Sequence, residues 1–92
     1  MAYNKSIMIV RYLEAAMSHA EYERLEDGTY AGRIPVCPGV VAFGKSLRAC
    51  KQNLRSALED WVLVGLQWGD PLPVIDGIDL NRKPVHEPLA SV

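Results

Sequence analysis

The chain has 92 residues, of which 49% are hydrophobic, and its ten basic and eleven acidic residues give a net charge of −1. This length supports one domain with a modest core and argues against two, while the hydrophobic content argues against a disordered tail. The balanced charge argues against non-specific nucleic-acid binding, which needs a basic face to neutralise phosphates.

The first predicted element is a helix over residues 4–18. Its apolar side chains recur at helical spacing in two rows, which are Met8, Tyr12, Ala15 and Ile9, Leu13, Ala16. So wide an apolar perimeter predicts burial on more than one side. The apolar run at 7–10 is interrupted by Arg11 and Glu14 and is far shorter than the ~20 residues of a membrane span. With no signal-peptide pattern at the start, we expect a cytoplasmic protein without a membrane segment.

Three short strands are predicted next. Residues 19–25 alternate in polarity, which is typical of a half-exposed strand. The dipeptide Asp27-Gly28 then predicts a tight hairpin, and the return strand follows at 30–34. After a turn rich in proline and glycine, residues 40–43 predict a third strand.

A long second helix follows, with Ser46 as its N-cap, and runs to about residue 68, where Gly69 terminates it. Its predicted apolar face, at spacings of three and four, consists of Leu47, Cys50, Leu54, Ala57, Leu58, Trp61 and Gly65. Residues 72–80 are expected to be extended or to add a short strand, and residues 81–92 to form an extended tail.

These elements predict a single α+β domain over residues 1–80. It consists of a three-stranded antiparallel sheet over 19–44, with a possible short fourth strand, packed against the long helix at 46–68. The helix at 4–18 is additional. Because a small sheet with one apolar face needs cover, we expect both helices on one side of it.

The sequence predicts no catalytic, metal or cofactor site. Two-metal chemistry needs carboxylates that converge, whereas the acidic side chains here lie on a strand, in turns and on a helix: Glu21, Glu23, Asp27, Glu59, Asp60, Asp70, Asp76 and Asp79. His19 and His86 lack further ligands at metal-binding spacing. Cys37 and Cys50 could form a disulfide, but two buried thiols are favoured.

The end of the second helix is the strongest candidate for an interaction surface. Residues 61–68 are apolar on nearly all sides, which one sheet face cannot cover. The candidate oligomer or partner interface consists of Trp61, Val64, Leu66 and Trp68. Either the first helix or a second copy could cover these side chains, and we favour a homodimer or higher homo-oligomer. A basic row on the same helix is interpreted as a solvated face, with phosphate or an acidic partner as the alternative: Lys45, Arg48, Lys51 and Arg55.

The order of motifs resembles the HicB family of antitoxins. It reads Tyr22-x-x-Leu25-x-Asp27-Gly28-x-Tyr30-x-Gly32-x-Ile34-Pro35-x-x-Pro38-Gly39-Val40, then Ala42-x-Gly44-x-Ser46-Leu47 and a helix containing Asn53-Leu54. The resemblance covers about residues 19–80 and implies a sheet likened to a truncated ribonuclease H fold. It also implies a partner, a HicA-like toxin that cleaves mRNA, whose catalytic surface the antitoxin covers.

The resemblance thus predicts a non-catalytic antitoxin, with no enzyme activity and no cofactor. Many members of that family carry a C-terminal DNA-binding module, which we do not expect in the dozen residues after Leu80. Two alternatives stay open: an orphan adaptor or oligomeric binding domain with another partner, and a metal-dependent nuclease remnant that uses the carboxylates of the sheet.

Overall fold

The computed structural model describes residues 5–81, with side chains from residue 7, and within this range it contains two helices and one sheet. The elements are α1 (Lys5–Ser18), β1 (Glu21–Arg24), β2 (Tyr30–Arg33), β3 (Val41–Gly44) and α2 (Leu47–Trp68). The strands form an antiparallel sheet in the order β1-β2-β3. The predicted α+β class is confirmed, while the tail predicted beyond residue 81 and His86 lie outside the described residues.

The β1–β2 hairpin forms where Asp-Gly predicted it. The Asp27 carboxylate accepts hydrogen bonds from the backbone N–H of Thr29 (2.9 Å) and from its hydroxyl (2.6 Å), and these bonds lower the pKa of Asp27. Gly28 adopts φ 87°, a left-handed conformation that side chains disfavour. The Leu25 N–H then donates to the Thr29 carbonyl at 2.7 Å and closes the turn.

A compact turn joins β2 to β3. The Cys37 N–H donates to the Ile34 carbonyl (2.9 Å), and the Val40 N–H donates to the Cys37 carbonyl (3.1 Å). Gly39 has φ 97° between them. Beyond the turn the Ile34 N–H donates to the Val40 carbonyl at 3.3 Å, so the ladder resumes as soon as the chain has reversed.

Helix α2 begins and ends at the predicted residues. The Ser46 hydroxyl accepts a hydrogen bond from the Ala49 N–H at 3.1 Å, which satisfies one of the free donors of the first turn. Gly69 ends the helix in a left-handed conformation with φ 73°. Between these ends, α2 lies across β2 and β3.

Glycine permits this close packing of helix on sheet. A Cβ atom on Gly44 would lie 2.8 Å from the Cα of Cys50, and one on Gly32 would lie 3.0 Å from the Cys50 sulfur. A larger residue at Gly44 would push α2 away from the sheet, whereas one at Gly32 would require the side chains of Cys50 and Tyr22 to shift.

The core lies between α2, the covered sheet face, α1 and the chain that follows α2. Its buried apolar side chains are Tyr12, Leu13, Ala16, Ile34, Cys37, Val40, Ala42, Leu54, Leu58, Val62, Leu72, Ile75 and Leu80. The face predicted for α2 is wrong in two places: Val62 is fully buried while Trp61 is only half-buried, and Leu47 is 41% exposed. Leu54, Leu58 and Val62 repeat at intervals of four, so the buried row continues through Val62 rather than Trp61.

The segment after α2 folds onto α1 rather than joining the sheet. Ile75 and Ile78 form an isolated antiparallel bridge around Asp76-Gly77, so the possible fourth strand is absent from the sheet as described over residues 5–81. The Tyr12 hydroxyl donates to the Pro73 carbonyl at 2.7 Å and fixes this segment to α1.

Candidate functional site

One face of the sheet is uncovered among the described residues, and we call it the open sheet face. Side chains alternate along each strand, so those opposite α2 form two cross-strand rows. One row is Glu21, Arg33 and Val41, and the other is Glu23, Ala31 and Phe43. These six side chains line a shallow depression of about 290 Å³.

The open sheet face carries exposed apolar side chains on β3. Val41 is 55% exposed and Phe43 is 60% exposed, although the outward positions of a half-covered sheet are usually polar. A single exposed apolar residue is ordinary, but two on one edge strand beside a depression form a surface that can bind a partner.

The opposite side of the open sheet face is charged. Arg33 donates to the Glu21 carboxylate through Nη2 (2.9 Å) and Nε (3.2 Å), and both side chains are more than half exposed. Such an exposed pair contributes little to stability in water. Glu23 has no ion-pair partner among residues 5–81. The open sheet face therefore offers one unpaired carboxylate on β1 and apolar side chains on β3, with β2 between them.

The structure separates the predicted interface residues into two groups. Trp61 and Leu66 pack partly against the core. Val64 is 50% exposed and Trp68 is 73% exposed. Trp61 and Val64 also line a recess of about 180 Å³ beneath the chain that leaves α2. Helix α1 contacts α2, and residues 70–72 lie beside Trp61, while Val64 and Trp68 are at least half exposed.

The basic row on α2 contacts neighbours within the chain. Lys51 lies 5.9 Å from the centre of the Tyr22 ring, a cation–π distance. Arg55 donates to Glu59 at 3.2 Å, one turn further along the helix. Lys45 and Arg48 are exposed. Because half of the row has intramolecular partners, it does not form a uniform basic patch.

The titratable side chains of residues 7–81 are spread over the strands, the turns and both helices. Within the described part of the chain, no group of three or more His, Cys, Asp or Glu side chains is placed to hold a metal ion. His19 Nε2 lies 2.8 Å from the Asp76 carboxylate and joins the start of β1 to the turn after α2. Cys37 and Cys50 are free and buried, and burial raises the pKa of both thiols. The favoured assignment of two buried thiols is confirmed.

Val41 and Phe43 are the surface residues that the sequence analysis missed. The signal was present, because residues 40–43 are apolar at all four positions, whereas a strand with one covered face should alternate. An unbroken apolar run of this length is also typical of a fully buried strand, so only the structure reveals which half is exposed.

Comparison with known families matches residues 11–73 to the family described as UPF0150-like. This chain belongs to the UPF0150-like family. The matched region of the UPF0150-like chain contains the whole sheet and the whole of α2. A solved structure with the same fold is the crystal structure of TTHA0281 from Thermus thermophilus. It is 46% identical, has a TM-score of 0.74, and the match covers 78% of this chain and 90% of that chain. Comparison with curated proteins gives no match.

Within residues 5–81, neither helix combines the length and hydropathy needed to cross a bilayer.

Proposed function

We propose that this chain is a non-catalytic, HicB-type antitoxin that binds a HicA-type, mRNA-cleaving toxin and covers its catalytic surface. We also propose that it acts as a homodimer or higher homo-oligomer in the cytoplasm. The observation that carries this proposal is the order of motifs from Tyr22 to Leu54, which resembles HicB antitoxins and lies inside the region matched to the UPF0150-like family.

The open sheet face supports a role in protein binding. A ribonuclease must present cationic groups to RNA phosphates, so a protein that occludes it gains from carboxylates at its own surface. Glu23 supplies such a carboxylate, since Glu21 is paired with Arg33, while Val41 and Phe43 supply apolar area on the same face. Protein-binding surfaces combine apolar area with charged groups, and this face carries both, with the apolar side chains on β3 and the carboxylates on β1.

Ala31, on the central strand β2, is a suitable position for a substitution that tests the open sheet face. Ala31 lies between Glu23 and Phe43, half-buried, with its side chain in the depression. Ala31→Arg would place a long cation at the centre of the proposed contact. Ser56→Arg, at an exposed position on α2, is a matched control because it introduces the same side chain away from the sheet.

The experiment co-expresses each variant with a HicA-type toxin encoded beside this protein and measures growth and cleavage of mRNA. The unaltered protein and Ser56→Arg should restore growth and block cleavage. Ala31→Arg should weaken toxin binding by more than about tenfold in calorimetry and lose protection. Failure of the unaltered protein to bind the toxin would refute the proposal and favour a binding domain for a different partner.

A further inference from the structure

Strand β3 presents a free edge whose outward hydrogen-bonding groups can be assigned. The Ile34 N–H donates to the Val40 carbonyl, so the pair of residues 34 and 40 faces inward across the ladder. In an antiparallel pair, inward and outward residues alternate. With Gly32 opposite Ala42 and Ala31 opposite Phe43, the backbone groups of Val41 and Phe43 point away from β2.

These outward groups are only partly satisfied. The Asn53 side-chain amide, on α2, donates to the Phe43 carbonyl at 2.6 Å. The N–H and C=O of Val41 have no hydrogen-bond partner among residues 5–81, and neither does the N–H of Phe43. The open part of the edge is therefore centred on Val41, which is also 55% exposed.

The two edge strands of the sheet, β1 and β3, differ in which side chains would face each other if the strand paired with the same strand of a second copy. On β1 the Leu25 N–H donates to the Thr29 carbonyl, so the outward residues are Tyr22 and Arg24. Pairing of two β1 strands centred on Tyr22 would set Glu21 of each copy opposite Glu23 of the other, which like-charge repulsion opposes. Pairing of two β3 strands centred on Val41 sets Val40 opposite Ala42 of the second copy and opposes no charges.

Helix α2 has an apolar flank on the side that faces the free edge of β3. Lys51 reaches Tyr22 on β1 and Asn53 reaches Phe43 on β3, which fixes the side of the helix that faces each edge. At 100° per residue, the flank with Asn53 continues through a row of side chains. That row is Ala57, Trp61, Val64 and Trp68.

We propose that two copies of this chain join through antiparallel pairing of their β3 strands, centred on Val41, with the Asn53–Trp68 flanks of the two α2 helices packed beside the seam. The Val41 N–H of each copy donates to the Val41 carbonyl of the other. The result is a continuous six-stranded sheet in which the two open sheet faces join. Because the outer edges are then the charged β1 strands, the assembly closes as a dimer rather than growing into a filament.

The area that a stable dimer buries explains why both the pairing of the β3 strands and the packing of the α2 flanks are needed. A specific dimer buries about 800 Å² per partner, more than a four-residue strand edge can supply. The helix flank extends the contact, and Ala57, its smallest residue, leaves room for two helices to approach closely. Val64 and Trp68, which are half or more exposed in one chain, gain cover in the pair.

Substitution at Val41 tests the seam without disturbing the strand itself. Val41→Pro removes an N–H that points away from β2, so the internal ladder keeps all its hydrogen bonds. Val41→Thr keeps the N–H and the β-branched shape, and serves as the matched control. Sedimentation at micromolar concentration, with no toxin present, should give twice the 10.2 kDa chain mass for the unaltered protein and Val41→Thr. Val41→Pro should give the monomer mass with unchanged circular dichroism.

A cross-link tests the register. Residues that exchange both hydrogen bonds have Cα atoms about 5.5 Å apart, within disulfide range. Val41→Cys should therefore form a disulfide-linked dimer on mild oxidation, since the two native thiols are buried. Val74→Cys, 57% exposed and beside the α1 contact, should stay unlinked. A monomeric unaltered protein, a dimeric Val41→Pro, or no linkage through Val41→Cys would each overturn this inference. None of these outcomes depends on whether the proposed toxin binds.

Discussion

Two glycines at the packing surfaces of α2, Gly44 and Gly65, should respond differently to substitution by alanine, because Gly44 faces backbone atoms and Gly65 faces a side chain. A Cβ atom at Gly44 would collide with backbone atoms of Ala49 and Cys50, the Cα of Cys50 being 2.8 Å away. A Cβ atom at Gly65 would meet only a side chain, with Leu72 Cδ2 at 2.7 Å. Backbone in the first turns of a capped helix cannot yield locally, whereas the end of a leucine side chain can change rotamer.

The expected free energies differ accordingly. Gly44→Ala forces α2 away from β3 and should destabilise the fold by about 2–3 kcal/mol, the range of overpacked cores. Gly65→Ala gains about 1 kcal/mol of helix propensity, which offsets much of the cost of moving Leu72, so its net effect should stay within about 1 kcal/mol. For a chain of this size, the Gly44→Ala loss lowers Tm by roughly 8–24 °C.

Urea titration at one fixed protein concentration measures both variants, since self-association would make the midpoint depend on concentration. The slope of the transition should stay constant while the midpoint falls for Gly44→Ala. Equal midpoints for the two variants would show that the α2–β3 contact is not as close as the structure places it, and would refute the reasoning.

Three further predictions concern single contacts. Tyr12→Phe leaves the Pro73 carbonyl without its donor and should lower the free energy of unfolding by about 1–3 kcal/mol in urea titration. The Tyr22 hydroxyl has no hydrogen-bond partner among residues 5–81, so the control Tyr22→Phe should cost less than about 0.5 kcal/mol. Equal losses would contradict the assignment of the Tyr12 hydrogen bond. Ser46→Ala removes the N-cap and should cost about 1 kcal/mol, whereas Ser56→Ala in mid-helix should cost nothing measurable. Burial raises the pKa of the Cys37 and Cys50 thiols, so as pH rises the unfolded chain loses these protons before the folded chain does. The contribution of the two thiols to the free energy of unfolding should therefore be constant below the ordinary thiol pKa of 9.0 and fall as pH rises above it. A urea midpoint that stays flat to about pH 10.5 would contradict this last expectation.

Interactions between residues close in sequence determine most of the fold, so these elements are predictable from the sequence alone. Asp27-Gly28 fixes the hairpin because its hydrogen bonds and positive φ involve residues within three positions of each other. The cap at Ser46 and the stop at Gly69 are equally local. These signals placed the three strands and the long helix, and hence the α+β class.

Long-range packing decided what local patterns could not. The choice of Val62 over Trp61 for the buried row depends on where α1 and residues 70–80 lie against α2, which no local spacing encodes. The Ile75–Ile78 segment turned toward α1 rather than the sheet because Tyr12 holds Pro73 there, across 61 positions of sequence. The exposure of Val41 and Phe43 is of the same kind: their apolar character is written in the sequence, but which face of β3 is left uncovered depends on the side of the sheet that α2 occupies.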